Sequence, residues 1–224
     1  MPMLVNSGAD VNHTERTRAL FERIAQQRSG QYHRTVVSRL SQWRTRTAVM
    51  RFVDRSLDGV AAPRVLDVGC GLGDFTRAVA ARYPKAEVVG IDFSPQTISL
   101  AQEGPPPPVH FACGELTALP ISDDWAHLTT CINTLHHVEA SEQRRALEDL
   151  ARATTHHLVI EIKNANSLYF KRHSKSVEGV PIAPTSSRAV EGVLTEQGFQ
   201  LQHIWRFFGA SVLSPLEVLW FRRG

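Results

Sequence analysis

The chain has 224 residues, of which 42% are hydrophobic and 21% charged, an ordinary balance for a soluble globular protein with one substantial core and a small appendage. No apolar run is long enough to span a bilayer, and the start lacks the basic region and apolar stretch of a secretory leader. Cys70, Cys113 and Cys131 are odd in number and form no C-x-x-C pair, which excludes a disulfide framework and predicts reduced thiols and a cytoplasmic location.

In chain order, residues 1–13 read as disordered. Thr14 can cap a helix reaching to about residue 28, with Leu20, Phe21, Ile24 and Ala25 on one face. Ser29-Gly30 breaks it. A longer helix is predicted over 32–57, with Val36, Leu40, Trp43, Met50 and Leu57 in one stripe and Arg44, Arg51 and Arg55 off it. Residues 1–60 thus read as an N-terminal helical cap and 61–224 as the main domain. The net charge is only +3, yet ten arginines fall between Arg16 and Arg55. They are read first as the solvated faces of two amphipathic helices. Attraction of an anionic acceptor, or of nucleic acid, is the alternative.

Beyond Pro63 the pattern alternates. Strands are predicted near 64–68, 87–91, 109–112, 126–132 and 156–162, and helices near 74–83, 95–103 and 141–153. That alternation predicts an α/β fold, a parallel sheet with helices on both faces. Prolines at 105–108 stiffen the loop before the third strand. Residues 163–184 show no clean period and are too long for an ordinary connection, which marks a functional loop. A helix over 186–197 and two strands over 199–208 and 212–222 complete the chain.

The richest stretch is residues 65–76, an apolar strand running into Gly69-Cys70-Gly71-Leu72-Gly73 and then a helix. Asp67 precedes the first glycine, and Asp92 ends the next strand 92 − 73 = 19 residues after the last. A tight turn needs positive φ, which glycine reaches freely, and a missing Cβ lets a ligand lie against the backbone. The third glycine of the dinucleotide fingerprint is absent, which argues against a nicotinamide cofactor.

The Asp-x-Gly-x-Gly pattern from Asp67 to Gly71 resembles motif I of the class I S-adenosylmethionine (SAM) dependent methyltransferases. The resemblance extends through Asp92-Phe93, Gly114-Glu115-Leu116 and Asn133 to Leu135-His136-His137-Val138. It implies a seven-stranded sheet of order 3-2-1-4-5-7-6 with the last strand antiparallel. It also implies SAM as cofactor, with S-adenosylhomocysteine (SAH) as product. Asp92 would take the ribose hydroxyls, as an acceptor-only carboxylate can. Glu115, where aspartate is more usual, would take the adenine amino group. Asp67, Gly69, Cys70, Gly71, Gly73, Phe93, Leu116 and Asn133 complete the implied cofactor site.

His137, just beyond the fourth strand, is the first candidate for a general base, with His136 second. In an extended segment the two would point apart. Tyr32, Tyr169 and His173 are candidate acceptor contacts. Adjacent histidines on a strand face opposite ways, and no metal-binding spacing occurs, so no metal is expected. The Asn/Asp-Pro-Pro-aromatic segment of nucleic-acid amino methyltransferases is missing after the fourth strand, and so is any Pro-Cys dipeptide. Both absences favour a small-molecule acceptor, as in the ubiquinone/menaquinone-biosynthesis-like group, methylated most simply on a hydroxyl oxygen. The alternatives are an RNA methyltransferase using the arginine-rich helices and a non-catalytic SAM-binding scaffold. The oligomeric state is left open.

Overall fold

The computed structural model describes residues 15–20, 22–23, 36–103, 109–173, 176–177 and 180–224. The expectations for residues 1–14, for Phe21, Ile24, Ala25 and Tyr32, and for the prolines at 105–108 fall outside them. Residues 15–20 and 22–23 are helical. The longest helix is α1 (Val36–Leu57).

Five parallel strands follow: β1 (Arg64–Val68), β2 (Glu87–Asp92), β3 (His110–Cys113), β4 (Ala126–Cys131) and β5 (Thr154–Lys163). Between them run α2 (Asp74–Arg82), α3 (Pro95–Gln102), a 3₁₀ turn (Leu135–His137) and α4 (Gln143–Arg152). After β5 come α5 (Leu168–Arg172), a hairpin of two short strands, β6 (Ser176–Val177) and β7 (Val180–Pro181), and α6 (Ser187–Glu196). The chain closes with β8 (Phe199–Arg206) and β9 (Leu216–Arg223).

The seven-stranded sheet has the order β3-β2-β1-β4-β5-β9-β8, with β9 antiparallel to both neighbours. This is the order expected from the sequence. Its central strands are apolar because both faces are covered. On one face, Leu66, Ile91, Leu158 and Ile160 pack with Leu147, Leu150 and Leu194 from α4 and α6. On the other, Val65, Val88, Leu128 and Val159 meet Val79 of α2 and Val49, Phe52, Val53 and Leu57 of α1. Among the described residues, no helix is long and apolar enough to cross a membrane.

The second half of α1 therefore belongs to the sheet's coat. Its buried stripe runs through Thr45, Ala48, Val49, Phe52, Val53 and Leu57. Trp43, expected in that stripe, is 65% exposed, because it stands about 200° round the helix from buried Thr45, on the face turned away from the sheet. Two other boundaries differ from expectation. The last strand starts at Leu216 rather than 212, since residues 211–213 form a turn closed by Ser214 N–H donating to the Ala210 carbonyl at 3.1 Å. The aperiodic stretch after β5 breaks into α5 and the β6–β7 hairpin, elements too short to show a period.

Candidate active site

The site starts from the turn after β1. The Gly69 and Cys70 amides both donate to the Ile91 carbonyl, at 2.7 and 3.0 Å, so the turn is sewn to the end of β2. Gly69 and Gly73 have φ of +75° and +81°. A Cβ on Gly69 would lie 2.0 Å from Thr134 Oγ1, and one on Gly73 would lie 2.4 Å from the Phe111 ring. Both glycines are required for conformation and for room at once.

The turn and the end of β2 converge on Asp92. Its Oδ2 accepts from Gly71 N–H at 3.0 Å and its Oδ1 from Ser94 N–H at 3.1 Å. Burial raises its pKa, against the lowering effect of backbone N–H donors from Ser94, Gly71 and Phe93. A carboxylate has about four acceptor sites, so a ligand hydroxyl can still be taken.

A cavity of about 610 Å³ lies over this turn, at the C-terminal ends of β1, β2 and β4. That is where ligands bind in open α/β sheets. Gly69, Gly71, Asp92, Phe93, Glu115, Leu116, Asn133 and His137 line it, as expected from the sequence. Asn133 adopts φ +55°, a conformation asparagine tolerates better than most residues, and its Oδ1 accepts from Lys163 Nζ at 2.9 Å. Glu115 is already engaged: Arg18 Nη2 donates to its Oε1 at 2.6 Å, and the Arg18 guanidinium carbon lies 5.7 Å from the centre of the Phe93 ring.

Several expected residues lie elsewhere. Asp67 is buried beneath the turn, where its Oδ2 accepts from Thr76 Oγ1 at 2.6 Å and its Oδ1 from Thr130 Oγ1 at 2.8 Å. It ties β1 to α2 and β4 and is no part of the cavity wall, and burial raises its pKa. Gly73 and Cys70 also stand behind the wall. The Cys70 thiol is pushed up by burial and by the charges of Asp67 and Asp92.

The two histidines divide. The two rings touch, 4.1 Å between centroids and tilted by 42°, so the 3₁₀ turn does not spread them as an extended segment would, but their surroundings differ. His137 faces the cavity. His136 is 3% exposed and packed in the interior, where burial first, and then the Lys163 and His137 charges, hold its pKa well below the usual value. His136 is not among the residues that line the cavity. Tyr169 and His173 are excluded from the cavity wall as well. They stack on each other at 4.5 Å on the outer face of α5, with both side chains exposed.

Sequence reasoning missed Thr17, Thr134, Glu139 and Glu142, all of which line the cavity. Thr17 is 3% exposed and its buried hydroxyl has no hydrogen-bond partner. Five lining residues, Glu15, Asp92, Glu115, Glu139 and Glu142, are carboxylates, and none of the described lining residues is lysine or arginine. An anionic acceptor, the alternative drawn from the arginine count, would enter against this charge. Among the described residues no cluster could hold a metal ion, and the three cysteines are unpaired.

Residues 65–157 match the protein family described as "Methyltransferase domain". Among solved structures, the chain resembles a SAH-bound magnesium protoporphyrin IX methyltransferase from Synechocystis PCC 6803. The TM-score is 0.68 at 18% identity, covering 85% of this chain and 88% of that one. At that identity the likeness speaks for the fold. Among curated relatives, it is 38% identical over 71 residues to a demethylmenaquinone methyltransferase of Deinococcus radiodurans, 30% of either chain. It is 50% identical over 42 residues to a trans-aconitate 2-methyltransferase of Methylobacterium radiotolerans, 18% of this chain and 16% of that one. The match thus spans less than a third of the length of these curated relatives, both named for small-molecule acceptors. The domain match over residues 65–157 and the strand order agree with the class I SAM-dependent methyltransferase fold that the motifs imply.

Proposed function

We propose that this protein transfers the methyl group of SAM to a small-molecule acceptor, on a hydroxyl oxygen. One observation carries the reading. The backbone-lined wall at Gly71 and Asp92 and the side chain of His137 face the same cavity, one suited to a nucleoside and the other to a proton. SAM brings a methyl group on a sulfonium, already electrophilic, so the chain's own residues have only to bind, align and dehydrate.

In this reading Asp92 accepts a ribose hydroxyl. Phe93 and Leu116 flank the adenine, and Gly69 and Asn133 border the methionine end. Glu115 takes the adenine amino group beside Arg18, or in its place. Asp67, Cys70 and Gly73 hold the turn in shape from behind. The helical residues 15–20 and 22–23 act as a cap that puts Thr17 against the ligand. A hydroxyl is a poor nucleophile at neutral pH, so His137 takes its proton as the carbon–oxygen bond forms. The carboxylate lining suits a neutral or cationic acceptor and disfavours RNA. Three unpaired thiols suit the reducing cytoplasm.

The test is transfer of isotope-labelled methyl from SAM to panels of hydroxyl and amine acceptors, repeated with His137→Ala. The expected result is turnover on a hydroxyl acceptor, with kcat lowered about 10²–10⁴-fold by the substitution. Turnover of amines alone, or a fully active His137→Ala protein, would overturn the hydroxyl reading.

A further inference from the structure

Outside the cavity, the largest unexplained feature is an apolar and basic surface. Trp43, Leu168, Tyr169, Phe208, Val212 and Leu213 are 38% to 65% exposed, and among the described residues only Leu72 is another large hydrophobic so open to solvent. These six come from three distant segments that touch. Leu168 N–H donates to the Val212 carbonyl at 2.9 Å, and Asn164 Nδ2 donates to the Ser211 carbonyl at 2.9 Å. Arg44, next to Trp43, donates from Nη2 to the Phe207 carbonyl at 3.2 Å and lies 4.7 Å from the centre of the Phe207 ring. An apolar patch of this kind, rimmed by polar groups, marks an interaction site.

Its charge is one-sided. The sequence has no aspartate or glutamate in residues 43–53, 162–173 or 197–216, the stretches that supply the surface. Arg44, Lys171 and Arg172 are exposed on it. The surface stands at the same edge of the sheet as the cavity, because β5 ends at Lys163, which pairs with Leu216 at the start of β9.

We propose that this surface docks on an anionic lipid bilayer. The aromatic and aliphatic side chains enter the interfacial region, and Arg44, Lys171 and Arg172 meet the lipid phosphates. The composition selects the occupant. A second copy of this chain would set positive charge against positive charge in a self-complementary contact. Nucleic acid would leave the aliphatic side chains Leu168, Val212 and Leu213 without an apolar partner. The proposal does not depend on methyl transfer.

The experiment is flotation of the full chain with vesicles of mixed phosphatidylglycerol and phosphatidylcholine, against vesicles of phosphatidylcholine alone. Retention on the anionic vesicles, weakened by salt, is expected. Phe208→Ser with Leu213→Ser should lower it at least about tenfold, and Lys171→Glu with Arg172→Glu by a similar factor, with the thermal midpoint unchanged. The second pair changes only exposed charges, so it remains informative if the first impairs folding. Absence of retention, equal retention on both vesicle types, or indifference to both variant pairs would overturn the proposal. So would a concentration-dependent dimer in sedimentation velocity that the Phe208→Ser and Leu213→Ser pair dissolves, which would assign the face to a second copy.

Discussion

The two halves of the sheet use their C-terminal edges differently. Around β1, β2 and β4 the cavity wall joins the glycine turn to the side chains of Asp92, Phe93 and Glu115. Amides of Gly69, Cys70 and Gly71 are fixed by the end of β2, and the Asp92 carboxylate is oriented by amide donors. Around β5, β9 and β8 the polar side chains are bonded within the protein. Asn164 Nδ2 donates to the Ser211 and Ser214 carbonyls at 2.9 and 3.0 Å, and Arg206 Nε donates to the buried Glu217 Oε1 at 3.0 Å. The first half places carboxylate side chains on a cavity wall. The second commits its polar side chains to holding the 207–215 segment and turns its apolar side chains outward.

Glycine substitutions give the largest expected difference between a crowded turn and an open helix face. Gly69→Ala forces a Cβ at positive φ to within 2.0 Å of Thr134 Oγ1. It should cost at least about 2 kcal/mol in urea unfolding. Gly192 lies inside α6, and an added Cβ there would meet nothing within 4 Å. Gly192→Ala should stabilise by about 0.5–1 kcal/mol. Equal effects at the two sites would mean that the turn after β1 is no more constrained than a helix surface.

The His136–His137 pair extends the contrast to pH. His136 is neutral in the folded chain because its pKa is held well below the usual value. The unfolded chain takes up its proton as the pH falls below about 6.5, where stability then declines by up to about 1.4 kcal/mol per pH unit from this residue. Above that pH the contribution is fully present. His136→Leu should flatten the decline between about pH 6.5 and 5 in thermal melts. An unchanged slope would mean that the ring is not buried as described.

The smallest effect concerns the cap. The Arg18–Glu115 pair has side chains 40% and 46% exposed, so solvent screens it. Arg18→Ala should change stability by less than about 1 kcal/mol. It should nonetheless speed SAH dissociation up to about fivefold in stopped-flow displacement if residues 15–23 cover the ligand. An unchanged off-rate would separate the cap from the cofactor.

The difference between the halves also explains what was legible in the sequence. The strand order and the positions of Gly69, Gly71, Asp92 and Asn133 follow from local patterns, because a glycine turn and an acid at a strand end are consecutive signals. Asp67 was legible as a residue of the motif, while its role depended on Thr76 and Thr130, nine and 63 positions away. Thr17, Glu139 and Glu142 reach the cavity through tertiary packing and carry no local mark. Tyr169 and His173 were assigned to the acceptor because their loop followed β5, yet α5 turns them outward. Trp43 shares a helical stripe with Met50, but the sheet takes the opposite face of α1, the one carrying Thr45, Val49, Phe52 and Val53, and a period alone does not say which face is buried.

Whether the cavity over Gly71 and Asp92 holds the SAM nucleoside is best decided by calorimetric titration of the full chain with SAH, alongside NAD and the Asp92→Ala protein. One SAH per chain is expected, with no NAD binding and an affinity weakened about 10–100-fold by Asp92→Ala. SAH binding unaffected by Asp92→Ala, or binding of NAD in its place, would contradict the assignment.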